Sequence, residues 1–155
     1  MASTTPHPTS RPGVALHKLV WVGPLTIGIA TLVNLAIRTL AVAFFGVPAG
    51  FTYLQAPFVI GSTVVFLVPA LVAFILVGRF ARRPVGFYRV LALVALFISF
   101  LNPVMALAGL FPAPGMNLHI FWTMIVMHTV TALITVSLLT TLAVESEWKS
   151  KKRGV

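Results

Sequence analysis

Along this chain four long apolar runs alternate with short turn-forming or charged segments. The runs cover residues 19–45, 57–78, 90–111 and 118–144. Each reaches the roughly 20 apolar residues that a helix needs to cross a hydrocarbon core. The pattern predicts an all-α integral membrane four-helix bundle over residues 18–144. Pro24 falls in the first turns of the first helix, where a missing N–H costs little. Gly46 to Gly50 ends that helix, and Pro57 suits the first position of the next. Pro69 falls mid-span and predicts a kink, because it removes one backbone bond and crowds the preceding turn. Asn102-Pro103 predicts a second kink, in the third helix.

Within the third run, Ala92, Ala95, Ser99, Asn102, Ala106 and Gly109 recur at spacings of three and four. They form one helical face of small and polar side chains. Helices in lipid associate through close packing of small residues, so this face is expected to point into the bundle. Residues 1–17 begin with a Pro, Ser and Thr rich stretch and are expected to form a disordered cytoplasmic tail. Residues 145–155 form a polar, basic cytoplasmic tail ending in Lys151, Lys152 and Arg153 before Gly154 and Val155. Ala41, Val42 and Ala43 have the small-x-small look of a signal-peptide cleavage site. The apolar region before them exceeds the roughly 7–15 residues of such a signal, and Arg38 interrupts it. The first run therefore reads as an uncleaved helix.

Charge placement sets the expected topology. Arg11 and Lys18 precede the first helix, and Arg79, Arg82, Arg83 and Arg89 lie between the second and third. Lys149, Lys151, Lys152 and Arg153 follow the fourth, while the other two connectors carry no charge. The positive-inside rule puts both termini and the central arginine segment in the cytoplasm. Interfacial aromatics give the same boundaries: Trp21, Tyr88 and Trp148 at the inner face, Tyr53 and Trp122 at the outer one.

Composition sharpens the class. Of 155 residues, 59% are hydrophobic and 8% are charged, against about 25% charged in a soluble domain. So few charges cannot cover a water-facing surface. The net charge of +9 would point to nucleic acid in a soluble chain. Here the basic residues flank apolar runs, so their expected partners are the bilayer and its anionic headgroups at the cytoplasmic face, and not nucleic acid. The absence of cysteine excludes a disulfide, a thiol nucleophile and a thiolate metal site.

Four polar side chains fall inside the apolar runs: Asn34, Arg38, Asn102 and His128. Helical rise places Arg38 about 10 Å from the outer end of its helix, with Asn34 one turn deeper. Asn102 lies about 13 Å and His128 about 15 Å from the outer ends of theirs. Ionisable groups inside a membrane usually face the bundle interior or a cavity, so the four are expected to converge on one polar site between helices one, three and four. Arg38 would be its permanent charge. A plainer reading stands beside this one. Arg38 can snorkel to headgroups, the asparagines can join helices, and His128 can be a satisfied bundle histidine. The serines and threonines of the fourth helix are expected to bond back to their own helix carbonyls.

No catalytic constellation is visible. The spans hold no Asp or Glu, and no zinc signature, Gly-rich phosphate loop or nucleophile elbow occurs. No metal and no cofactor is expected. Met124 and Met127 beside His128 make a poor soft-metal set, and one deep histidine does not make a haem site.

Val33-Asn34-Leu35 followed by Gly46-Val47-Pro48, Asn102-Pro103 and Met127-His128 together resemble a group of small four-span bacterial membrane proteins, seen largely in actinobacteria and catalogued as a domain of unknown function. The resemblance covers about Trp21 to Ala143. It implies a four-helix bundle, multi-pass in a bacterial plasma membrane, and assigns no functional residue. Three expectations of function follow. The first is a non-enzymatic partner, stabiliser or sensor in a membrane assembly, with homo-oligomerisation or a membrane protein partner. The second is transport or binding of a small anionic or amphipathic molecule around Arg38. The third is a lipid-modifying enzyme with His128 as base.

Overall fold

The computed structural model describes residues 14–144. The expected tails up to Gly13 and from Glu145, with Trp148, lie outside the described residues. The described chain is all-helical: α1 Leu16–Phe44, α2 Ala56–Phe80, α3 Pro84–Ser99, α4 Leu101–Leu107 and α5 Leu118–Leu142. A single 3₁₀ turn, Thr52–Leu54, sits between α1 and α2. Four segments, His17–Phe44, Ala56–Phe80, Pro84–Leu107 and Leu118–Leu142, are long and apolar enough to cross a membrane.

Three helix boundaries differ from the apolar pattern, each for a local reason. α1 begins at Leu16, inside the expected tail. Its start is tied to the end of α5: the Ala15 N–H donates to the Ala143 carbonyl at 2.9 Å, and Lys18 Nζ donates to the Val144 carbonyl at 3.0 Å. Val14 and Val144 form an antiparallel bridge beside them. α3 begins at Pro84, whose missing N–H suits a first turn. The arginine-rich segment is therefore mostly helix, and its turn shrinks to residues 81–83. The third crossing breaks at Phe100. Pro103 cannot donate to the Ser99 carbonyl and its ring crowds it, so α3 stops at Ser99 and α4 carries on. It then ends at Leu107, where Gly109 turns the chain with a φ of +72°. α2, by contrast, runs unbroken through Pro69.

α1 packs against α2 and α5, and α3 packs against the same two from the opposite corner. α4 leans on α5. Two apolar clusters form the core. Leu19, Val22, Phe74, Val77, Tyr88 and Leu139 pack at the end that carries the termini. Ala41, Val47, Phe51, Leu54, Val59 and Ile120 pack at the far end. α3 contributes Tyr88 to the first cluster. Sequence patterning placed Tyr88 at an interface; it is instead buried, packed edge-on against Phe74 at 4.8 Å, with its hydroxyl donating to the Ala70 carbonyl at 3.4 Å. Trp21 and Trp122 do face outward. The exposed faces are otherwise dominated by Val, Leu, Ile and Phe, a surface that calls for hydrocarbon around it.

Both ends of the described chain and the 81–83 turn lie at the same end of the bundle. At this seam Val14 crosses α2 directly over Gly78, where an added Cβ would overlap the valine side chain. Gly78→Ala should therefore lower stability by about 1–3 kcal/mol, as overpacking does. Gly28→Ala and Gly61→Ala, where an added Cβ meets nothing within 4 Å, should leave it unchanged or raise it. Unfolding of the three variants in detergent micelles measures the contrast.

Candidate functional site

Between the two core clusters lies a polar layer centred on Asn34. This side chain is 5% exposed. Its amide nitrogen donates to Thr63 Oγ1 on α2 at 3.1 Å and to Thr131 Oγ1 on α5 at 2.9 Å. The Thr131 hydroxyl returns a bond to Asn34 Oδ1 at 3.3 Å. Asn34 thus joins three helices through its own two N–H groups. Thr63 bonds back to the Val59 carbonyl and Thr135 to the Thr131 carbonyl, each at 2.7 Å. Thr123, Thr129, Thr140 and Thr141 do the same along α5, as their spacing predicts.

A cleft of about 300 Å³ opens from this layer. Its lining residues on α2 extend from Phe58 to Ala73, about 22 Å of helix. Leu91, Ala95, Ser99 and Asn102 line the opposite side, and His128, Thr131 and Thr135 lie on α5. The walls are mostly apolar. Ser62 and Phe66 on one side and Ala95 and Asn102 on the other are exposed, so the mouth lies between α2 and the α3–α4 arm. The geometry follows from packing. α2 and α3 meet at the Phe74–Tyr88 contact near their shared turn, whereas α4 packs on α5. Of the small-residue stripe of the third crossing, Ala106 is buried, whereas Ala92, Ala95, Ser99 and Asn102 line the open cleft and Gly109 is exposed.

Three of the four polar residues singled out by sequence share this cleft: Asn34, Asn102 and His128. His128 Nδ1 lies 2.7 Å from the Met124 carbonyl. A carbonyl oxygen accepts, so Nδ1 donates, and in the neutral tautomer that this bond selects Nε2 is left as an acceptor. The ring stands edge-on to Phe100 at 6.5 Å, next to the helix break. No buried side-chain nitrogen or oxygen lacks a partner among the described residues, so this free nitrogen is one that a molecule can reach. Asn102 is exposed and makes no side-chain hydrogen bond among the described residues. The cleft therefore offers one acceptor and one amide without protein partners, on walls that carry no charge.

Arg38 does not line the cleft. Its Nε donates to the Leu54 carbonyl in the 3₁₀ turn, and Leu54 forms part of the cleft lining. The guanidinium holds that wall from behind. Two further bonds fix the far-end loops: Tyr53 hydroxyl to the Pro112 carbonyl at 3.1 Å, and His119 Nδ1 to the Phe45 carbonyl at 2.6 Å. Sequence reasoning missed Ser62 and Thr63 as lining residues, while Ser99 belongs to the small, polar face that it did single out. Single hydroxyls in an apolar run carry no signal of their own, though Thr131 and Thr135 are readable from their shared face with His128.

The class that fold and site define is an all-helical bundle with four segments long and apolar enough to cross a membrane and a side-opening cleft. No protein-family model, curated protein or solved structure matches the chain.

A double-mutant cycle of Asn34→Ala and Thr131→Val should give a coupling of about 0.6–1.7 kcal/mol, the range of hydrogen bonds between membrane helices. Reversible unfolding in mixed micelles measures it. Asn34→Ala with Thr141→Val, whose hydroxyl bonds within its own helix, should be additive.

Proposed function

We propose that this protein is a non-enzymatic, multi-pass protein of the bacterial plasma membrane that binds a small neutral amphiphile through the cleft between α2 and α3–α4. The resemblance to small four-span bacterial proteins supports the setting, and the basic clusters support cytoplasmic termini. One observation carries the function: His128 Nε2 and the Asn102 amide stand without protein partners on a long apolar cleft. In hydrocarbon a polar group without a partner is costly. A molecule with a hydroxyl group suits either one, donating to Nε2 or accepting from the Asn102 amide. Its apolar remainder lies along the walls and enters sideways from the bilayer. An anionic headgroup fits less well, because the arginine that would hold it is turned to Leu54. The cleft also lacks any carboxylate to work with His128, so binding suits it and hydrolysis does not.

A long-chain alcohol carrying a diazirine provides the test. In nanodiscs it should label peptides containing Ser62 to Phe66 and Ala95 to Asn102 above the other exposed helix faces. Ala95→Trp, at an exposed position, should block the mouth and abolish that preference. His128→Phe should weaken it about fivefold, the loss of one hydrogen bond of about 1 kcal/mol. The matching methyl ether should compete poorly. Labelling spread evenly over all four crossings, and indifferent to Ala95→Trp, would refute the reading.

Orientation has its own test. The sequence holds no cysteine, so single cysteines can be placed freely. Ala49→Cys should react with an impermeant maleimide on intact cells, and Arg82→Cys should react after lysis alone.

A further inference from the structure

A second surface, at the opposite end from the 3₁₀ turn, has a different chemistry. α2 ends at Phe80 and α3 starts at Pro84, so the two helices diverge from a three-residue turn and leave a wide, shallow trough on their outer side. Leu76, Phe80, Phe87 and Val90 form its apolar walls, and Arg82 and Arg83 stand at its rim. Phe80 is 77% exposed, Val90 63% and Phe87 58%. Gly86 lies in the trough, where an added Cβ would meet nothing within 4 Å. Both acidic residues of the chain, Glu145 and Glu147, fall outside the described residues, so no carboxylate among the described residues neutralises these guanidinium groups. Neither arginine makes a side-chain hydrogen bond there.

Two arginines adjacent in sequence and lining an otherwise apolar trough match the polarity of one phospholipid: an anionic head on the arginines and acyl chains along the walls. Guanidinium binds phosphate through parallel N–H donors, and basic pockets between membrane helices hold anionic headgroups. A soluble anion would use the rim and leave the trough empty. We infer that residues 76–90 form a discrete site for an anionic phospholipid, with its phosphate on Arg82 and Arg83 and an acyl chain between Phe80 and Phe87. The site rests on membrane insertion and shares no lining residue with the cleft.

The full chain, reconstituted in phosphatidylcholine with a minority of phosphatidylglycerol and then partly delipidated, should retain one phosphatidylglycerol in native mass spectrometry. Arg82→Gln with Arg83→Gln should cut that retention about tenfold, as losing charge-assisted bonds implies. Arg79→Gln with Arg89→Gln removes equal charge from helix positions outside the trough and should change it little. Gly86→Leu fills the trough with every charge kept and should cut retention severalfold, with unfolding midpoints showing that the fold is intact. Excess inorganic phosphate should not displace the lipid. Equal losses in both arginine pairs, or wild-type retention in Gly86→Leu, would mean diffuse surface charge and overturn the site. Displacement by inorganic phosphate would overturn it in favour of a free-anion site.

Discussion

Asn34 ties three helices of the bundle together through side-chain hydrogen bonds, between the two apolar clusters. In hydrocarbon, apolar side chains gain little by leaving lipid for one another, so close fit and a few polar bonds decide which helices meet. Asn34 reaches a threonine on each of two other helices and so links α1 to both α2 and α5. The third crossing has no share in that junction. It packs on α2 and α5 through α3, with Tyr88 against Phe74, and on α5 again through α4. The space between is what opens as the cleft.

The same division explains how much was legible in the sequence. Four crossings, their approximate limits and the interruption at Asn102-Pro103 all follow from apolar run length and proline chemistry, which are local. That Asn34, Asn102 and His128 line one cleft was partly readable as well, because helical rise converts position along a helix into relative height. Lateral direction was not. Arg38 shares a helix with Asn34 and stands one turn away, yet it turns to a carbonyl in a loop whose course no periodicity encodes. Tyr88 has the chemistry of an interfacial anchor and the position of one. It is drawn inward because Phe74 and the Ala70 carbonyl happen to lie opposite. The small-residue face of the third crossing was readable as a face, but whether such a face closes on a neighbour or leaves a gap depends on what stands across from it.

The helix break at Phe100 belongs to the same picture. Pro103 removes one rung of the backbone ladder at the height where His128 and Asn102 face the cleft. Below it α3 packs on both α2 and α5, and above it α4 packs on α5.

The seam at the terminal end has a consequence for how the chain is made. Val14 pairs with Val144, and Lys18 reaches the same residue's carbonyl, so the two most distant described parts of the sequence close against each other over Gly78. During synthesis that closure must await the last helix. The amino-terminal strap stays unlatched until the ribosome has passed Val144, which makes this closure a late step of assembly.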